Sequence, residues 1–462
     1  MLEINNNVKT LENKHWFSLF ATHKNMYTNK CEQLANEYEK LDEYLYKYHY
    51  RLKQGYKVVH FARRTIITIF GEVIFKRRRY KYWNKKSGKF EYVCLLDKEI
   101  GLLPKQRIYF DVQFKVLSLL GDGKRYRDVL DALNHCYISK GSISNILNKY
   151  DIAEYFQLAE KETKTRIDVK NKNLYIQLDE TFLATLDKKV KQDQRIRLVT
   201  FHTGHKEKNY KNARRELENK RGHFLMLKVG KRINTMDYRD LLIKELQKHY
   251  VNINYDKIIV CGDGDTWIRE IANSFGNVRY ILDSYHAIKK LKQTAFNIIF
   301  ENRKVTLNSW IKLYKDGNHQ ELVKNIRNGA KNEINKDIKT NLRKVSNYFS
   351  NNKHGIHNQN LEWNIGCSIE SDVSHLIKQQ LGYGAKIYNH KNLNNLLHLR
   401  MANLNKLNVL HYINGNINSE IEIRKEIYKT SLWNKYNKKN DDSWINKGNI
   451  VYTNKYRKHK FR

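Results

Sequence analysis

Lys257-Ile-Ile-Val-Cys-Gly262 is a continuous apolar run, closed by Gly262-Asp263-Gly264-Asp265. A strand without polar alternation is buried on both faces, which is the mark of a parallel strand covered by helices. Parallel neighbours need crossover connections, so this run commits its surroundings to an α/β layer. The flanking patterns fill in that layer. Leu174, Ile176 and Leu178 alternate with Tyr175, Gln177 and Asp179, which predicts a strand with one buried face. Arg195 to Thr203 and Phe224 to Gly230 predict two more strands. Met236 to Tyr250 has amphipathic helical spacing, Thr266 to Phe275 predicts a helix, and Val278 to Asp283 predicts a fifth strand. The order is three strands, helix, strand, helix, strand. Two hairpin-like strands followed by right-handed crossovers give a mixed sheet in which the first and fourth strands can be neighbours.

Downstream, Ser284 to about Tyr348 is wholly helical and basic, Ser350 to Asn360 reads as a polar loop, and Ser368 to Leu381 as a helix ended by Gly382 and Gly384. Upstream, Leu11 to about Leu52 is helical. Cys31, Leu34, Tyr38, Leu41, Leu45, Tyr48 and Leu52 form a seam suited to a dimerisation helix or to docking on the same protein. Thr65 to Phe75 reads as a strand pair, with a further turn at Ser87-Gly88. Arg77, Arg78 and Arg79 lie in this small sheet among tyrosines. They suit tracking of a phosphate backbone, or a solvated face that protects a sheet edge. Tyr126 to Leu133 and Ser142 to Tyr150 resemble a helix-turn-helix, whose second helix would offer Ser142, Ser144, Asn145, Asn148 and Lys149 to DNA. The expected division is 1–62 (helical, oligomerisation), 63–168 (small sheet and helix-turn-helix-like DNA-binding region), 169–283 (catalytic core, first part), 284–365 (helical insertion), 366–415 (core, final part) and 416–462 (basic tail).

Charge narrows the partner. With 86 Lys+Arg against 48 Asp+Glu in 462 residues, the net charge is +38, and a polyanion is the natural ligand. A/T-rich codon usage inflates Lys, so the charge is supporting evidence only. No run of roughly 18 apolar residues is present to span a membrane, and the start, Met-Leu-Glu-Ile-Asn, is no signal peptide. The five cysteines are scattered without a C-x-x-C pair, which points to reduced thiols in a cytoplasm rather than a zinc ribbon.

Two strands end in carboxylates, Asp179 and Asp263, and Glu370 sits in the first turn of a later helix. Three acids on rigid elements can hold two divalent metals about 3.5–4 Å apart, and hard oxygen donors suit Mg²⁺ or Mn²⁺. Each acid also has an ordinary reading: Asp179 as a strand-end polar residue, Asp263 as a turn former beside a helix cap at Asp265, Glu370 as a helix-start acid. Glu180 or Asp187 could replace Asp179 as the ligand.

Gln177-Leu-Asp-Glu180, Gly262-Asp-Gly-Asp-Thr-Trp-Ile268, Leu282-Asp-Ser-Tyr-His286, and Ile369-Glu370 followed by Gly382-Tyr-Gly384 together resemble bacterial insertion-sequence transposases of the ISLre type, near the Mutator-like DDE superfamily. The resemblance covers roughly Leu174 to Arg400. It implies an RNase H-like catalytic domain with a helical insertion before the final Glu, and a DDE triad of Asp179, Asp263 and Glu370. It also implies an Asp-x-x-His signature that places His286 near the scissile phosphate. The Asp265 that follows Gly-Asp-Gly departs from the small residue usual there. The implied activity is binding of double-stranded DNA at terminal inverted repeats, then Mg²⁺- or Mn²⁺-dependent strand cleavage and transfer of the 3′-OH into target DNA. The implied setting is a homo-oligomer in the bacterial cytoplasm, associated with the nucleoid. The alternatives are a structure-selective nuclease of the same fold, a non-enzymatic transposase-derived DNA-binding protein, and an RNA-binding protein.

Overall fold

The computed structural model describes residues 26–48, 55–84, 87–163, 165–187, 189–207, 215–276, 279–296, 303–378 and 387–415. The helical stretch before residue 26, Leu52, Gly382, Gly384 and the basic tail lie outside them. The chain forms two compact units, one of Met1–Leu120, Tyr126–Tyr150 and Leu410–Arg462, the other of Gly121–Arg125 and Asp151–Val409.

In the first unit, helix α1 (26–48) buries Leu34, Tyr38, Leu41 and Leu45, the middle of the seam. Tyr38 packs on Phe75 in a tilted arrangement with ring centroids 5.1 Å apart, so this face docks on the unit's own sheet. That sheet is antiparallel: β1 (Lys57–Thr68), β2 (Gly71–Asn84) and β3 (Lys89–Val93). Helices α2 (Leu95–Glu99), α3 (Phe110–Gly121), α4 (Tyr126–Ala132) and α5 (Lys140–Lys149) follow. Ser139 caps α5: its hydroxyl accepts from Ser142 N, and the Ser142 side chain returns a bond to the Ser139 backbone.

The second unit is mixed α/β. After α6 (Ile152–Glu162) and β4 (Ile167–Asp168), β5 (Leu174–Asp187) pairs antiparallel with β6 (Val190–His202), and β6 antiparallel with β7 (Arg221–Lys228). Then come α7 (Thr235–His249), β8 (Tyr250–Val251), β9 (Ile258–Gly262), α8 (Thr266–Ser274) and β10 (Tyr280–Leu282). β9 runs parallel to β5 on one side and β10 on the other, giving the order β10-β9-β5-β6-β7. The first and fourth strands of the sequence reading are therefore neighbours. The short parallel pair β4–β8 carries no periodic signal and is visible only in the fold.

β5 departs from the expectation of one solvated face. Leu174, Ile176 and Leu178 enter the main core with side chains of α7 and α8. Tyr175, Gln177 and Asp179, on the other face, are buried as well. Tyr175 joins Ile259, Cys261 and Ile281 in a second cluster covered by Trp363, Ile365 and Cys367. A segment some 190 residues away supplies that cover, which period-two alternation cannot reveal.

Helices α9 (Ser284–Phe296), α10 (Arg303–Lys315), α11 (His319–Asn332), α12 (Lys336–Asn351) and α13 (Lys353–His357) follow β10. The polar loop expected at Ser350 to Asn360 is mostly helical. Its amides do structural work: Asn358 Nδ2 donates to Tyr280 O at 2.8 Å and Gln359 Nε2 to Leu282 O at 2.9 Å, on β10. α14 (Ile369–Asp372) passes into a π-helical turn, Val373–Lys378, rather than a regular helix. β11 (Tyr388–Asn389) extends the sheet beside the far end of β5, and α15 (His390–Asn405) packs on β7. Among the described residues no helix is long and apolar enough to cross a membrane.

Candidate metal centre

Strand register fixes the site. Leu178 pairs with Gly262, and Gly262 with Leu282, across three parallel strands. The next residue on each strand is an acid: Asp179, Asp263 and Asp283. Asp283 N donates to Gly262 O at 2.8 Å, which keeps the strand ends level. β9 and β10 end here, whereas β5 continues to Asp187, so Asp179 is not the strand end expected from the sequence but the residue at which β5 loses β9 as its parallel partner. The acids line the carboxyl edge of the parallel part of the sheet, where open α/β sheets form their ligand crevice.

The glycines around Asp263 are structural requirements. A Cβ on Gly262 would lie 2.7 Å from Ile268 Cδ1 and 3.0 Å from Leu178 O. Gly264 has φ +92°, and a Cβ there would lie 2.8 Å from Leu282 Cδ1 and 2.9 Å from Tyr348 Cε2. The turn they permit lets Asp263 Oδ1 accept from Asp265 N at 3.0 Å, while Tyr348 Oη donates to Asp263 O at 2.6 Å. Asp265 is exposed at the N-cap of α8 and makes no side-chain cap bond. Glu180 points to the opposite face and pairs with Arg197 at 3.4 Å and Arg195 at 3.9 Å. Asp187 is exposed at the end of β5.

Glu370 arrives from α14, which β5 holds directly. Gln177 Oε1 accepts from both Ser368 N and Ser368 Oγ at 3.0 Å, and Gln177 Nε2 lies 2.8 Å from His202 Nε2. His202 stacks on Tyr175 at 4.8 Å and its Nδ1 accepts from Gly204 N. This buried chain aims the start of α14 at Asp179. α9 adds His286, whose Nε2 is 3.5 Å from Glu370 Oε2 and 3.8 Å from Asp283 Oδ2. One donor atom each from Asp179, His286 and Glu370 falls within 4.8 Å of the others, a spacing that could hold a metal ion. Asp263 stands on the adjoining strand end, outside this tightest group.

Among the described residues this acid cluster has one close cation, Lys378 on Glu370. Asp179 is 5% exposed. Burial, then the charges of Asp263 and Glu370, pushes its pKa up to about 8, against the opposing Glu180 N–H bond. Asp263 and Asp283 are also raised, each chiefly by burial. Burial works on Glu370 in the same direction, but Lys378, with Nζ 3.3 Å from Oε1, together with the bond to Asp179 and the neighbouring His286 holds the carboxyl below its usual range. The Asp179 carboxyl is thus raised and that of Glu370 lowered. His286 Nε2 is buried and makes no hydrogen bond. The crowded carboxylates are hard oxygen donors of the kind that suit Mg²⁺ or Mn²⁺, and the imidazole beside them is a softer donor.

A family model described as "Uncharacterised protein family (UPF0236)" matches residues 15–411. The chain belongs to the UPF0236 family. It is similar to UPF0236 protein TTE0610/TTE0881/TTE1053/TTE2432 of Caldanaerobacter subterraneus subsp. tengcongensis, at 25% identity over 77% of this chain and 70% of the relative. Another UPF0236 protein of that organism, whose name joins eleven locus designations, is 24% identical over 77% of this chain and 70% of its own. A third, "UPF0236 protein in vanSb 3'region" of Streptococcus gallolyticus, is 27% identical over 56% of this chain and 54% of its own.

The residues read as DNA contacts in this UPF0236 chain lie in the first unit and differ in availability. Arg77 is 7% exposed, with Nε 2.6 Å from Asp97 Oδ1 and a bond to Ala62 O. Arg78 bonds Asp42 and Glu43 on α1 and sits between Tyr46 and Phe61. Both are tied up internally. Arg79 is exposed over Tyr92. On α5, Ser142 is engaged in the cap and Lys149 Nζ bonds Gln113 and Tyr150, while Ser144 is half-buried and Asn145 exposed. The sequence names Asp283 only as the Asp of the Asp-x-x-His signature and not as an acid of the site, and it does not show the Gln177–His202 support or Lys378. Gln177 carried a usable signal, since it stands two residues before Asp179 on the same strand face.

Proposed function

We propose that this chain is a DDE-type DNA transposase, acting on an insertion sequence through terminal inverted repeats. The second unit is then an RNase H-like catalytic domain, and α9–α13 are its helical insertion. The observation that carries this reading is the convergence of Asp179, Glu370 and His286, with Asp263 and Asp283 on adjoining strand ends. Three separate stretches of chain, far apart in sequence, build it. A relative named from eleven loci of one genome is what a self-copying element leaves behind. The basic balance of the chain suits DNA.

Asp179, Asp263 and Glu370 would hold Mg²⁺ or Mn²⁺, which when bound supplies activation of the attacking oxygen and stabilisation of the leaving one. The chain's own residues do the rest. Asp179, whose pKa burial raises, acts as a ligand in its ionised form. Gln177 and Ser368 fix where Glu370 points, and Lys378 keeps that carboxylate charged. The unsatisfied Nε2 of His286 is left for a phosphate oxygen or the ion. Hydrolysis at the element end and attack of the freed 3′-OH on target DNA are both in-line displacements at phosphorus, so one site serves both.

The test is cleavage and joining of oligonucleotides carrying the element's ends, with Mg²⁺ or Mn²⁺. Joining of a pre-cleaved 3′ end to plasmid is the expected result. Cleavage without joining would instead make the protein a nuclease of this fold.

A further inference from the structure

Glu245 and His249 stand four residues apart at the end of α7, so one helix face carries both. Glu160 on α6 meets them, and one donor atom from each of the three lies within 4.8 Å of the others. Glu245 and His249 are 7% and 8% exposed. His249 Nε2 is buried with no hydrogen-bond partner. His223, on β7, places Nδ1 3.3 Å from Glu245 Oε2. Burial, with the charge of Arg221, pushes the His249 pKa down to about 4, so the ring is neutral at physiological pH and its lone pair is open to a ligand.

An ion-pair cluster explains part of this arrangement. Lys248 Nζ lies 2.9 Å from Glu160 Oε2 and 2.8 Å from Glu245 Oε1. It does not explain the imidazole, which remains unsatisfied beside two carboxylates. The Lys248 side chain is 43% exposed and can swing into solvent. We propose that Glu160, Glu245 and His249, with His223 as a further donor, form a second and structural metal site that takes a divalent first-row ion of the Zn²⁺ class. Carboxylates alone would favour Mg²⁺ or Ca²⁺, and the imidazoles shift the preference toward Zn²⁺. Lys248 is the counter-ion of the metal-free form, displaced when the ion enters. The ion would cross-link α6 to α7 within the second unit, and the proposal stands whether or not the transposase reading does.

The experiment uses the full chain carrying Asp179→Ala and Glu370→Ala, which removes the other donor group. Metal-free protein is titrated with Zn²⁺ in competition with a chromogenic chelator at neutral pH. One Zn²⁺ per chain is expected, bound about tenfold or more weakly after His249→Ala and after Glu160→Gln, and more tightly after Lys248→Met. Glu160→Gln keeps size and hydrogen-bonding capacity, so it carries the test if His249→Ala fails to fold. Unchanged Zn²⁺ affinity in either folded variant, or weaker binding after Lys248→Met, overturns the site.

Discussion

In the second unit, Asp179, Asp263, Asp283 and Glu370 crowd together where β9 and β10 end beside β5, with Lys378 as the cation beside Glu370. In the first unit, Arg77, Arg78 and Arg79 stand side by side in the sequence, yet two of the three are neutralised by Asp97, Asp42 and Glu43. The acids are dispersed in sequence and concentrated in space, and the arginines the reverse. Concentration of like charge in a buried place costs stability, and a protein that retains it does so for a ligand. In the charge run on the ribbon, by contrast, Arg77 and Arg78 each meet an acid of the same unit, and of the three only Arg79 is exposed.

That contrast can be broken at several points. Arg77→Ala leaves Asp97 half-buried without its cation and should lower the stability of the first unit by about 3–5 kcal/mol. A urea midpoint within error of the parent would show that the pair contributes nothing. Gly264→Ala puts a side chain into a left-handed turn already closed by Leu282 and Tyr348. It should cost about 2 kcal/mol or more and reduce metal affinity by displacing Asp263. Equal melting temperatures would refute the close packing of that turn.

The two units should also respond oppositely to acid. Burial, then Lys220 and His205, pushes the His202 pKa down to about 3. The unfolded chain takes up a proton that the folded ring refuses, so the stability His202 confers is present above about pH 6.5 and is lost as pH falls toward 3. Asp111 runs the other way: burial pushes it up to about 6 against bonds from Ile69 N and Val112 N. Its contribution is fully present below about pH 4 and lost as pH rises through 6. Between pH 7 and 5, His202→Gln should reduce the acid loss of stability and Asp111→Asn should enlarge it, as read from urea midpoints. Shifts of the same sign would remove the distinction. The smallest expected effect on stability is that of Arg79→Ala, within about 0.5 kcal/mol, because Arg79 is exposed. It should instead lower DNA affinity and flatten its salt dependence by about one charge.

The strand order and the adjacency of the first and fourth strands were legible because apolar runs and alternation encode burial locally. Asp263 and Glu370 could be nominated from their places at element ends, whereas Asp179 reads as a strand end although β5 continues to Asp187. What could not be read was set by tertiary contact. Trp363, Ile365 and Cys367 cover the odd face of β5 from a distant segment. Asn358 and Gln359 look like loop residues until β10 lies beside them. Arg77 and Arg79 are chemically identical in the sequence and two residues apart on β2, where a regular pleat would give them one face, yet Arg77 is buried against Asp97 and Arg79 is exposed because the burial alternation of β2 breaks after Arg77.

The central claim, that the strand-end acids form a metal-dependent phosphoryl-transfer site, is tested most directly by one assay. End-binding and Mn²⁺-dependent strand cleavage are measured in parallel for the parent protein and for Asp179→Ala and Glu370→Ala. The account predicts that cleavage falls on the order of 10³-fold or more in each variant while end-binding stays within about threefold. Cleavage at parental rates in either variant would contradict it.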